Sequence, residues 1–342
     1  LYEKKIPFLV IEPAKAEYRT LIESPIKNQL LVFTLGDESV SPFRLNPLEI
    51  FPGVRVETHI SYLKACFQAA LPTFGILPSL IEESLLNIYL AKGWNLIDRG
   101  KKNETREMPT LGELYDEIIR VTNERGYSEK TAQDIRAAAT GRIGTLLRGS
   151  KGRMLNTRRS IPIEIIMNHP VILELESLND EEKALVMLFI LTSVREYCRA
   201  NRSNSDLHHV TLIEEAHRVM SATSHVADRE NQADTAAAAV GMVSAALSEV
   251  RAYGEGFIIA EQIPSRLAED ALKNTNLKII HRLPGEDDRN SVGATMNMEE
   301  EQKAYLIKLL SGQAAIFMEG YERPTFTCVH NYRLEHDLPE KL

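Results

Sequence analysis

Short, unbroken apolar runs alternate along this chain with longer stretches whose apolar residues recur at helical spacing. That alternation constrains the fold more than any other feature. A strand, a helix and a second strand in the same sheet close as a right-handed crossover, so the strands come out mainly parallel. PFLVIEP (7–13) is apolar throughout and stops at a proline, which is how a strand buried on both faces reads. QLLVFTL (29–35), PVILELE (170–176), HHVTLIEEA (208–216), GFIIAEQ (256–262), LKIIHRL (277–283) and GQAAIFME (312–319) are further short strands of the same kind. The fold class expected is α/β, with these strands in one mainly parallel sheet.

Between the second and third runs the pattern changes. THISYLKACFQAAL, PSLIEESLLNIYLAKGW, TLGELYDEIIRVTNERG and SEKTAQDIRAAATGRIGTLL all carry apolar residues at helical spacing, several behind a Thr or Ser cap with a Glu in the first turn. NDEEKALVMLFILTSVREYCRA is an amphipathic helix opened by Asn179 or Asp180, and ADTAAAAVGMVSAALSEVRAYG is an alanine-rich one. The chain divides into an amino-terminal part of the α/β core (1–50), an all-helical insert (51–150) and the remainder of the core (151–342).

The run VTLI is followed by two adjacent carboxylates, Glu214 and Glu215. Burying one acid at a strand end is costly and burying two is worse. Ligands of an open parallel sheet bind beyond the carboxyl ends of its strands, and nucleotide hydrolysis is one reason to place both acids there. The first then serves a magnesium ion and its water, and the second polarises the water that attacks the γ-phosphate. A solvated turn explains the same residues. Gln262 ends another buried run, where an amide can donate to a phosphate and accept from a water; a plain turn before Pro264 fits equally. Arg251 ends a helix and Arg282 follows a strand. Each can stabilise charge on a transferring phosphoryl group, or serve only as favourable charge at the end of its element.

Composition narrows the partners. The 342 residues are 44% hydrophobic and 26% charged, an ordinary globular balance, with a net charge of -8. The chain as a whole is not a polyanion binder, so any contact with DNA must come from a local basic patch. GRIGTLLRGSKGRMLNTRR (141–159) supplies one, with Arg142, Arg148, Lys151, Arg153, Arg158 and Arg159 and no acid. It reads equally as a solvated connecting loop. Cys66, Cys198 and Cys328 match neither a zinc spacing nor a disulfide framework, which fits a reducing, cytoplasmic setting. No run of about 18 apolar residues that would span a bilayer occurs, and no partner membrane is expected.

With these residues assembled, the chain resembles the HerA/FtsK class of ring-forming, RecA-like ATPases, and the HerA branch in particular, over nearly its whole length. FLVIEPAKAEYRTL looks like the strand and turn after the phosphate-loop helix, with Glu12 where aspartate is more usual. PFRLNPLEI looks like the next element. VTLIEEAHR looks like the Walker B strand, and RAYGEGFIIAEQIPSRLAEDALKNTNLKIIHRL like the arginine, sensor-glutamine and final-strand region. The resemblance implies a hexameric, ATP-driven DNA translocase or helicase. In it Glu215 is the catalytic acid, Glu214 serves magnesium, Gln262 is the sensor, and Arg251 and Arg282 are arginine fingers or sensors. It also places Glu12 and Lys15 at the ATP, and makes a nuclease or other effector, with a part in anti-phage defence, an expected partner. A non-catalytic ring scaffold and a conjugation-type secretion ATPase share the same features.

One departure stands out. No G-x-x-x-x-G-K-S/T occurs, so the phosphate-cradling amides and their lysine are absent. RGSKGRM has neither the spacing nor the strand before it. Because the chain starts without methionine and enters a buried strand at once, the phosphate loop is expected upstream of Leu1. Ser221–Asp234 is polar and is either a pore-lining or an ordinary flexible loop. Glu214 and His217 fit half of a di-iron ligand set, but no second half accompanies them. His208 and His209 are expected at a strand edge or on the surface, and His59 as a cap or packing residue.

Overall fold

The computed structural model describes residues 1–70, 76–221 and 230–335. Five strands, β1 (Phe8–Glu12), β2 (Leu31–Thr34), β3 (Val171–Glu174), β4 (His209–Glu214) and β5 (Glu255–Ala260), form a sheet in the order β2-β3-β1-β4-β5. Every pairing in it is parallel. The central strands β1 and β3 are buried along their whole length, as their unbroken apolar sequences require. The outer strand β5 is only half-buried, and Ile258 remains 44% exposed.

Alternate side chains of β1 go to opposite faces. Leu9 and Ile11 join the large core, while Phe8 and Val10 meet Ile26, Ile172 and Val210 beneath Tyr18, Leu21 and Leu30. The helices α1 (Val56–Ala70), α2 (Leu77–Ala91), α3 (Leu111–Glu124) and α4 (Glu129–Arg142) make up the insert. Two short helices, α5 (Gly149–Leu155) and α6 (Ile163–Asn168), carry the helical region past residue 150, before β3. The long helices α7 (Asp180–Asn201) and α8 (Glu230–Arg251) flank β4 in the chain. Helix α1 packs on both α7 and α8, and Phe67 meets Phe189 edge-on across the first of these contacts. The insert therefore shares one continuous hydrophobic core with the sheet. Thr110 and Asn179 each open a helix with a reciprocal capping box, closed by Glu113 and Glu182.

Two expectations are corrected. LKIIHRL and GQAAIFME do not extend the parallel sheet. As β6 (Leu277–Ile280) and β7 (Gln313–Met318) they pair antiparallel, with β8 (Thr325–Cys328) on the far side. This small sheet has its own core of Leu283, Val292, Met296, Leu306 and Leu309, built with α9 (Glu269–Lys273), α10 (Glu286–Thr295) and α11 (Glu300–Tyr305) nearby in sequence. His209 is not at the surface either. It is fully buried, and its Nδ1 lies 2.7 Å from Oε1 of Glu255, the residue it faces on β5. Thr211 Oγ1 donates to the same oxygen, and Arg202 donates to Oε2 at 3.1 Å. His59 is buried as well, against Glu196 of α7.

Candidate active site at the carboxyl rim of the sheet

Three neighbouring strands end in glutamate: β1 at Glu12, β3 at Glu174 and β4 at Glu214. Register sets Glu12 beside Glu174, and Ile11 beside Ile213. Parallel direction puts all three acids on one rim, a pattern already visible in FLVIE, VILE and TLIE. Each acid is held differently. Arg19 makes a two-pronged ion pair with Glu174, to which Thr34 Oγ1 also donates at 3.2 Å. That partner raises the basicity of Arg19. Tyr18 Oη donates to Glu214 Oε1 at 2.5 Å, and burial together with this bond pushes the phenol's pKa up.

Glu12 is the least compensated. It is 2% exposed; Oε1 accepts the Glu17 N–H at 2.5 Å, and Oε2 has no partner among the described residues. Burial pushes its carboxyl up to about 7, against the pull of the Glu17 and Tyr18 backbone N–H groups and with a further push from Glu174 and Glu214. The turn that brings Glu17 back uses Lys15 and Ala16 in the left-handed region, at φ 76° and 47°. Strained non-glycine backbone of this kind concentrates at working sites. The Lys15 side chain is exposed.

Glu215 directly follows β4 and is also left-handed, at φ 47°. Arg218 Nε and Nη2 both reach its Oε2 at 2.8 Å, and Arg218 Nη1 donates to Asp180 Oδ1 at 2.5 Å. Because Glu214 pairs with Ala260, Gln262 follows β5 on the same rim, and it is exposed. Glu261, which sequence reasoning missed, joins the two turns. Its Oε1 accepts the Gln262 and Ile263 N–H groups at 2.9 and 3.0 Å; its Oε2 accepts the His217 N–H at 3.1 Å and lies 2.7 Å from His217 Nδ1. His217 is thus engaged by Glu261 and Glu214 by Tyr18, which removes the half di-iron reading. Among the described residues no three His, Cys, Asp or Glu side chains converge on one metal position.

The remaining expected residues divide. Arg282 follows β6, and the segment after it is tied to the loop after Gln262 where Ser265 N–H donates to Asp288 Oδ1 at 3.0 Å. Arg251 closes α8 just before β5 begins, so it lies at the opposite, amino-terminal end of the sheet from Glu215. The basic segment is not the loop expected, since residues 149–155 are helical. Arg142 pairs with Glu181 at 3.5 Å and Lys151 with Glu182, while Arg158 and Arg159 pair with Glu107 and Glu49. Arg148 and Arg153 are exposed. Of Ser221–Asp234, residues 222–229 lie outside the described residues.

No family model and no curated protein sequence matches this chain. Solved structures do. VirB4 of Thermoanaerobacter pseudethanolicus matches with a TM-score of 0.72 at 16% identity, over 98% of this chain and 84% of that one. The bacterial conjugative coupling protein TrwBΔN70 matches with a TM-score of 0.55 at 10% identity, over 95% of this chain and 85% of that one. The fold is a RecA-like α/β ATPase core. Likenesses at 16% and 10% identity show the fold alone, and they do not single out the HerA branch. TrwB has also been solved with a non-hydrolysable ATP analogue.

Proposed function

We propose that this chain forms the greater part of an ATP-driven motor of the FtsK/HerA-like kind, working on DNA as a hexamer in the cytoplasm. The observation that carries the reading is the shared rim: Glu215 and Gln262 leave adjacent, paired strands, and Glu261 ties their turns together. Glu215 would take the proton of the attacking water and Gln262 would orient that water. Arg282, on the sensor side, would meet developing phosphate charge, with Lys15 exposed at the same rim. The position of Arg251 at the far end supports action in a neighbouring subunit's site.

The donor set suits magnesium. That ion takes one or two carboxylates and completes its shell with waters and substrate phosphates, so three converging side chains are not needed. Glu214 would hold it, with the unpartnered oxygen of Glu12 beside it. Bound there, it supplies positive charge to the phosphate oxygens. The phosphate loop, absent from these residues, would come from a further parallel strand added along the open edge of β5, where Ile258 is exposed.

In the full-length protein, DNA should stimulate ATP hydrolysis and Glu215→Gln should abolish it. A Glu215→Gln protein that still turns over sinks the mechanism. The near-complete match to VirB4 favours a second reading, a conjugation-type secretion ATPase; co-purification with a membrane-protein partner, and hydrolysis indifferent to DNA, would select it. Among the described residues no helix is long and apolar enough to cross a membrane. Coupling to a nuclease or anti-phage effector would extend the first reading.

A further inference from the structure

The acid proposed as catalytic is not free. Two nitrogens of Arg218 hold one oxygen of Glu215, so that carboxylate is engaged and poorly placed to accept a proton from water. The third Arg218 contact goes to Asp180, the first residue of α7. Asp180 is followed by Glu181 and Glu182, and each of these three acids holds a cation from a different element. Asp180 takes Arg218 from the turn after β4, Glu181 takes Arg142 from the end of α4, and Glu182 takes Lys151 from α5. The first turn of α7 therefore sits between the basic segment and the partner of Glu215.

We infer that Arg218 is a gate on Glu215, and that a DNA phosphate chain bound at the basic segment opens it through the first turn of α7. The inference rests on the hydrolytic reading above and adds its regulation. Arg142 is about a third exposed and Lys151 about a quarter. Phosphates can recruit such cations from their internal acids because each guanidinium or ammonium gains an equally strong, charge-assisted partner. Glu181 and Glu182 then lose their counter-charges. The acidic turn attracts Arg218, already bonded to Asp180, more strongly, and the pair with Glu215 weakens. Glu215 becomes free to act as base when DNA is engaged. Glu215 and Asp180 hold Arg218 from two sides, so removing Arg218 frees Glu215, whereas removing Asp180 takes away the pull that DNA binding would strengthen.

The test is steady-state ATP hydrolysis by the full-length protein, with and without a duplex oligonucleotide, in wild type, Arg218→Ala, Arg218→Lys, Asp180→Asn and Glu215→Gln. Arg218→Ala should raise the DNA-free kcat by ~5-fold to ~10-fold, at unchanged KM for ATP, and leave little further stimulation. Arg218→Lys should retain part of the gate. Asp180→Asn, at an exposed position, should leave the DNA-free rate unchanged and blunt the stimulation. A merely structural part for this network would lower both rates together. A fall in DNA-free kcat in Arg218→Ala with an unaltered melting temperature, or full stimulation in Asp180→Asn, overturns the gate. Should Glu215→Gln hydrolyse like wild type, or wild type not hydrolyse at all, the hydrolytic reading itself is wrong and the gate goes with it. An inactive Glu215→Gln with the other variants off pattern removes the gate alone.

Discussion

Replacing Glu12 by glutamine should make the protein more stable, by an amount that grows as pH rises through the acid range and is complete above neutral pH. The carboxyl is raised from 4.5 to about 7 in the folded chain, mainly by burial. Below pH 4.5 folded and unfolded chains both carry the proton, and burial costs nothing electrostatic. Between 4.5 and 7 the folded state keeps a proton that the unfolded chain has released, so stability falls as pH rises. Above 7 both states are ionised and the whole cost is present. At about 1.4 kcal/mol per pH unit the rise amounts to about 3 kcal/mol. Glutamine keeps an oxygen to accept the Glu17 N–H but cannot ionise. Urea unfolding at pH 5 and pH 8 should therefore show a gain for Glu12→Gln of under about 1 kcal/mol at the lower pH and of about 3 kcal/mol at the higher. Other titrating groups are common to both proteins and cancel. The same difference at both pH values, or a loss at pH 8, would refute the placement of an uncompensated acid there. Magnesium added at pH 8 should narrow the gap by stabilising wild type.

Tyr18→Phe removes the donor to Glu214 and should weaken magnesium dependence of hydrolysis in the full-length protein by about tenfold, read from the magnesium concentration at half-maximal rate. Asn179→Ala breaks the capping box that opens α7 and should cost about 1 kcal/mol in urea unfolding. Glu255→Ala leaves the buried His209 and the half-buried Arg202 without their shared acceptor; a loss of about 3–5 kcal/mol is expected, and a variant as stable as wild type would refute the burial argument.

Much of this architecture is written locally. PFLVIEP reads as a strand buried on both faces and PVILELE as a strand, and both are buried along their length in the interior of the sheet. The start of α7 was legible to within a residue, as Asn179 or Asp180, and Asn179 is the cap, bonded to the Glu three residues on. What escaped depends on distant partners. His209 meets its acid 46 residues later, so HHV alone looks like a polar strand start. Arg19 and Glu174 are separated by 155 residues. Residues 149–155 read as part of a basic or solvated connecting loop. Yet Gly149 starts the helix from φ 61°, and a Cβ on Gly152 would stand 2.2 Å from the Leu147 carbonyl oxygen, so both glycines permit the turn into α5. Strand direction was the other blind spot: apolar content identified β6 and β7, but not that they pair antiparallel with each other, with the short and mostly exposed β8 on the far side of β7. The acids of the rim were legible one at a time. The recurrence of glutamate at three strand ends was the missed signal, since only the sheet order makes those ends adjacent.

The quartet of His209, Thr211, Glu255 and Arg202, the first three of them buried, lies at the far end of β4 and β5 from the proposed chemistry, yet it acts as a vernier for that chemistry. Sliding one strand past the other by a single residue would turn every side chain to the wrong face and strand a carboxylate in the interior without its histidine. The misaligned pairing is thereby excluded, and Glu215 and Gln262 inherit their alignment from a lock six and seven residues upstream on their strands. Substitutions at the working rim can accumulate without loosening that alignment, whereas a conservative change in the quartet would misplace a site it never touches.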